Sequence, residues 1–124
     1  MKARENLVRL KQFQVNEKRR QLTQLETMIA DFERLSTELD VQISAEEKKA
    51  GITDINHFAY PTFAKAARQR RDNMKNSQAD LAAQREAAET SLAEAESELS
   101  KAEMLENRDA KTRETEAPRQ AMLG

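Results

Sequence analysis

Cysteine is absent from this 124-residue chain. Disulfides, thiolate nucleophiles and thiolate metal sites are therefore excluded. Tryptophan is also absent, and one Tyr with four Phe brings the aromatic share to only 4%. So few aromatics beside 35% charged residues are ill suited to a compact globule of this length. No apolar run approaches the ~20 residues that a membrane-spanning helix needs. The opening Met1-Lys2-Ala3-Arg4-Glu5-Asn6 has no apolar stretch behind it, so no secretory signal is expected. The formal net charge is −1, and no bulk attraction to nucleic acid or anionic lipid follows from it. Glycine and proline, the residues that most strongly interrupt helices, number two each.

Those four breakers are unevenly placed. Pro118 and Gly124 lie near the end, while Gly51 and Pro61 flank the midpoint. Between the latter pair sit the only His, the only Tyr and Phe58. Gly51 suits the position just past a helix end, and Pro61 suits the first turn of a following helix. Thr53 and Asp54 are good N-cap residues for a single extra turn. The expected plan is all-α: a long antiparallel two-helix coiled-coil hairpin over residues 1–112. It comprises a helix 2–50, a turn 51–60 and a helix 61–111. A frayed or disordered tail is expected over 113–124, where no heptad core continues.

Apolar spacing supports both arms. In the first, Leu22, Leu25, Ile29, Phe32, Ser36, Leu39 and Ile43 alternate three and four apart, as a coiled-coil seam requires. The register extends back through Lys18, Val15, Lys11 and Val8, and forward to Glu46 and Ala50. In the second arm it reads Met74, Leu81, Arg85, Ala88, Leu92, Ala95, Leu99 and Ala102. The small Ala side chains permit close helix approach and favour the helix itself. Leu7, Leu10 and Phe13 fall off the seam, forming either a shifted first turn or a partner-binding face.

Charge chooses the pairing. If the chain folds back about Asn56, residue 11 lies beside about residue 101. Residues 1–20, with seven basic and two acidic side chains, then face 92–112, with three basic and six acidic. Residues 26–47, with one basic and seven acidic, face 65–86, with six basic and three acidic. Both blocks match in an antiparallel hairpin. A parallel dimer would set each block against itself. Exposed pairs contribute only a few tenths of a kcal/mol each, so they select register while the seam supplies stability. Across a short turn, intramolecular closure is favoured over an antiparallel dimer of opened chains, and a monomeric hairpin is expected. Each arm would extend about 70 Å.

Nothing here resembles a reaction centre. His57 is alone, with Asp54 the nearest acid, so a structural or exposed role is expected in place of a metal site or general base. There is no Gly-rich phosphate loop or nucleophile motif, and no cofactor is expected. Arg68-Gln69-Arg70-Arg71 would face the acidic block of the first arm, which argues against nucleic-acid binding. The aromatic cluster Phe58, Tyr60 and Phe63 either packs the turn or offers a contact surface.

The hairpin plan is joined by two stretches, Arg4-Glu5-Asn6-Leu7-Val8-Arg9-Leu10-Lys11 and Ala50 to Asn73. The second includes His57-Phe58-Ala59-Tyr60-Pro61-Thr62 and Gln69-Arg70-Arg71-Asp72-Asn73. In these the chain resembles the FliJ family, small coiled-coil proteins of the bacterial flagellar export apparatus. The resemblance implies a cytoplasmic, non-enzymatic component of a type III protein export machine, peripherally associated with the inner membrane at the flagellar base. It also implies a likeness to the central stalk of rotary ATPases. The implied partners are the export ATPase hexamer and the membrane-embedded export gate, with export chaperones as further candidates. On that view Arg4, Leu7, Arg9, Leu10, Lys11 and Phe13 are the candidate contacts to the ATPase ring. Phe58, Tyr60 and Phe63 are the candidate contacts to the gate. The alternative is a structural or dimerising coiled-coil spacer with no role in transport. A nucleic-acid-binding arm of the kind appended to synthetases is a third reading.

Overall fold

A computed structural model describes the backbone from Lys2 to Leu123, and side chains over residues 2–115. It consists of two helices, α1 (Lys2–Ala50) and α2 (Thr62–Leu123), packed against each other as an all-α helical hairpin. The chain divides into two compact units. A terminal unit combines α1 up to Leu22 with α2 from Ala87 onward, and a loop unit runs Thr23–Glu86.

α1 is bounded as its sequence directs. Glu5 lies in its first turn and Lys48 and Lys49 in its last, each complementing the helix dipole. Gly51 ends it with φ 69°, a conformation cheap only for glycine. Its N–H still donates to the Glu47 carbonyl at 2.9 Å, the bond of a left-handed C-terminal cap. The loop that follows is hydrogen-bonded throughout its centre. The Asp54 carboxylate accepts from the Asn56 amide at 2.9 Å, and its carbonyl accepts from the His57 amide at 3.1 Å. A second reversal closes with the Tyr60 amide donating to the His57 carbonyl at 3.0 Å. Asp54 therefore organises a turn, as its type suggested. Pro61 sits one place earlier than expected. Its carbonyl accepts from the Lys65 amide at 3.1 Å, which makes it the N-cap and Thr62 the first helical residue.

In the loop unit the seam positions Leu25 through Ile43 behave as their spacing predicts. Ser36, Leu39 and Ile43 are buried, and Leu25, Ile29 and Phe32 are half-buried. Leu39, Ile43 and Ala67 form one buried cluster, with Met74 packed against it. The seam of α2 begins earlier than the apolar pattern suggested. Tyr60, Ala64 and Ala67 are buried, and Arg71 and Gln78 are half-buried, all in register with Met74 and Leu81. Across this seam, Arg71 reaches Asp40 at 3.0 Å and Arg68 reaches Glu47 at 3.4 Å. At the other limit of the α1 seam, Ala50 is exposed, so the stripe stops at Glu46, which is half-buried. The left-handed cap at Gly51 turns the chain away at that point.

In the terminal unit Val15, Ala95 and Ala102 are buried. Val8, Lys11, Lys18 and Leu22 on α1 are half-buried, as are Ala88, Leu92 and Leu99 on α2. The ion pairs Arg4–Asp109 at 2.6 Å, Lys11–Glu98 at 2.8 Å and Arg19–Glu96 at 3.6 Å cross it. Mirroring about Asn56 places Arg4, Lys11 and Arg19 opposite residues 108, 101 and 93. Each observed partner lies within one helical turn of that position. The loop-unit pairs deviate by no more than a turn as well.

α2 does not stop near Lys111 as expected. Beyond that point the Thr112 and Thr115 hydroxyls donate to the carbonyls of Arg108 and Lys111 at 3.0 and 2.9 Å. Arg113 also pairs with Glu106 at 3.4 Å. These local bonds sustain helix without a heptad core. The tail expected over 113–124 falls, from Glu116 on, outside the described side chains.

Candidate interaction surfaces

In coiled-coil lettering, Val8, Val15, Leu22 and Ile29 are a positions of α1, and Lys11, Lys18 and Leu25 are d positions. On α2, Leu92, Leu99 and Glu106 are a, and Ala95, Ala102 and Asp109 are d. Residues at b, c and f point away from the partner helix, while e and g flank the seam.

The terminal unit divides the candidate ring contacts into two groups. Leu7, at g, is 36% exposed, Leu10, at c, 50%, and Phe13, at f, 61%. Arg9, at b, is exposed beside them. These four are available to a partner. Arg4 and Lys11 instead occupy d positions and are engaged with Asp109 and Glu98. Both are half-buried, so the expectation that they flank an outward surface is corrected. The Glu98 carboxyl is held below its ordinary range, first by the hydrogen bond from Lys11 and then by that ammonium's charge.

The aromatic cluster divides too. Phe58 is 97% exposed and Phe63 55%, but Tyr60 is buried at 8%. Tyr60 is thus a packing residue and leaves the candidate gate-contact set. Its hydroxyl accepts from Arg68 Nε at 2.8 Å, and the guanidinium carbon lies 5.9 Å from the ring centroid. This bond is the first cause of the raised Arg68 pKa, with Glu47 adding its charge. Ile55, in the same loop, is 47% exposed. The Phe58 ring stacks on His57 with centroids 4.7 Å apart, and His57 Nδ1 accepts from the Ala59 amide at 3.0 Å. His57 is therefore an element of the turn.

Sequence reasoning missed residues on α2. Met104, at f, is 63% exposed, and Leu105, at g, is half-buried. With Lys101 and Arg108, both at c, they line an open, mainly apolar hollow. The heptad lettering of α2 was the available signal, since it separates these residues from Ala102 and Leu99. Elsewhere, Ser44, Glu47, Lys48, Gly51 and Thr53 border a shallow depression open to solvent.

Among the described residues, no group of three or more His, Cys, Asp or Glu is placed to hold a metal ion. None of the described helices is long and apolar enough to cross a membrane. Comparison of the chain with protein-family models, curated proteins and solved structures found no match.

Proposed function

We propose that the chain is a non-enzymatic coiled-coil component of the bacterial flagellar type III export apparatus, coupling the export ATPase ring to the membrane export gate. The reading rests on the sequence resemblance to the FliJ family. The observation that best supports it is the exposure of Leu7, Leu10 and Phe13 beside Arg9. A coupler must grip its partner through outward side chains, whereas a plain spacer spends its apolar residues on its own seam. In this proposal the terminal segments meet the ATPase ring, and Phe58, Ile55 and Phe63 meet the gate. The protein would work at the cytoplasmic face of the inner membrane, at the flagellar base.

The test adds purified chain to a flagellar export ATPase and follows ATP hydrolysis. Stimulation is expected, and Leu10→Ala with Phe13→Ala should weaken it while leaving helicity nearly intact. Phe58→Ala should spare ATPase binding and weaken gate binding. A wild-type chain that neither binds nor stimulates the ATPase overturns the proposal.

A further inference from the structure

The terminal unit gathers exposed apolar side chains along one side of its seam. In an antiparallel helix pair the g positions of the two helices lie along one edge of the seam, and the e positions along the other. The ion pairs Arg4–Asp109 and Lys11–Glu98 fix the register. One turn after Arg4 comes Leu7, and one turn before Asp109 comes Leu105, both at g. The two leucines therefore share one edge of the seam. Leu10 and Phe13 continue that side on α1 and Met104 continues it on α2, each at least half exposed. Over the same stretch the charged side chains at c on this side are Lys101 and Arg108, both exposed. Among the described residues, Arg108 enters no salt bridge. The acid at g, Glu98, is engaged by Lys11. The e edge carries the acids instead, with Glu5 on α1 and Glu103 on α2, both exposed.

We infer that this side of the terminal unit is a docking surface for an amphipathic helix of another protein, one with an apolar stripe flanked by acidic residues. The apolar side chains of such a helix would lie along the Leu7–Leu105 edge, between Leu10 and Met104. Its carboxylates would then meet Lys101 and Arg108, giving a three-helix arrangement. A second copy of this chain is the poorer occupant. A two-fold contact through this side brings the basic Lys101 and Arg108 of both copies into one interface, where they repel. The inference deepens the partner-facing role proposed above for Leu7, Leu10 and Phe13. Its test needs no export component, so either reading can fail alone.

The experiment uses the full chain and two fluorescently labelled synthetic peptides. Both are amphipathic helices with leucine at a and d; one carries glutamate at e and g, the other lysine. Fluorescence anisotropy should show the glutamate peptide binding at least about tenfold more tightly. Lys101→Glu with Arg108→Glu should reverse that preference. Leu10→Ser with Phe13→Ser should weaken the glutamate peptide by about tenfold or more, with the melting curve of the chain unchanged. Met28→Ser, at an exposed apolar residue of the loop unit, should leave binding as it was. Equal binding of the two peptides overturns the inference, as does indifference to the Leu10 and Phe13 changes. Self-association abolished by Leu10→Ser with Phe13→Ser would show a second copy as the occupant and overturn it too. Tight RNA binding that Lys101→Glu with Arg108→Glu abolishes, without peptide binding, would also contradict it.

Discussion

Arg68 donates its Nε proton to the Tyr60 hydroxyl across 2.8 Å, and the same guanidinium reaches Glu47 on α1 at 3.4 Å. One side chain thus ties the loop exit, the first turns of α2 and the last turns of α1 together. A buried tyrosine hydroxyl needs a partner, and Arg68 supplies it. Tyr60→Phe keeps the packing but removes the acceptor, and should cost about 1 kcal/mol. Arg68→Ala strands the hydroxyl and unpairs Glu47, and should cost more, about 1–3 kcal/mol. Chemical denaturation of the two variants measures the order, and a larger loss for Tyr60→Phe would contradict this account of Arg68.

Seam burial predicts a second order. Leu39 is 7% exposed within the Leu39–Ile43–Ala67 cluster, whereas Leu10 is 50% exposed. Leu39→Ala should lose roughly 1–3 kcal/mol, since a two-helix seam stays partly wet and lies below the usual core range. Leu10→Ala should lose less than about 0.5 kcal/mol. Equal melting transitions for the two would place the seam on the wrong face.

The Lys11–Glu98 pair predicts a response to acid. Glu98 titrates below its ordinary 4.5 in the folded chain because Lys11 hydrogen-bonds and attracts its ionised form. Its contribution is therefore complete above 4.5 and is lost as pH falls through the lowered value. Thermal melting at neutral pH and at about pH 3 should show wild type losing more than Glu98→Gln. The difference will be small, because exposed pairs are screened by solvent. An identical acid loss in both chains would remove this pair from the balance.

His57 predicts a local change. Its Nδ1 accepts from the Ala59 amide and its ring stacks on Phe58. Amide hydrogen exchange at Ala59 should be faster in His57→Ala than in wild type. Equal exchange would show the bond does not persist in solution. His57→Ala should loosen the presentation of Phe58 without altering the seam.

Much of the hairpin was legible in the spacing. Leu22 through Ile43 carry enough hydrophobic contrast for a heptad to show, and Gly51 with Pro61 marks the reversal. The first turns of α2 were not legible, because their seam runs through Ala64, Ala67 and Arg71. Alanine is buried there by the approach of α1, which no local property reveals. Arg71, with only 18% of its side chain exposed, fills a seam position and turns its charge to Asp40. Nor could composition separate Tyr60 from Phe58. The two consecutive turns at Asp54 and His57 decide which ring is covered. Lys11 was readable as a seam position and Arg4 was not, and only the antiparallel register shows both finding acids across the seam. Leu7, Leu10 and Phe13 were readable as off the seam, but Leu105 joins them only once the antiparallel register is known.

The antiparallel pairing of α1 with α2 within one chain is the claim on which the rest depends. The absence of cysteine lets single spin labels be placed without background. Labels at Asn16 and Ser97 occupy exposed positions of the terminal unit on facing segments. Pulsed electron spin resonance, with doubly labelled chain diluted into unlabelled chain, reports the intrachain distance. The account predicts a narrow distribution below about 30 Å, one interhelical spacing of roughly 10 Å plus the reach of two linkers. A distance tens of ångströms longer, or a short one that vanishes on dilution, would contradict it.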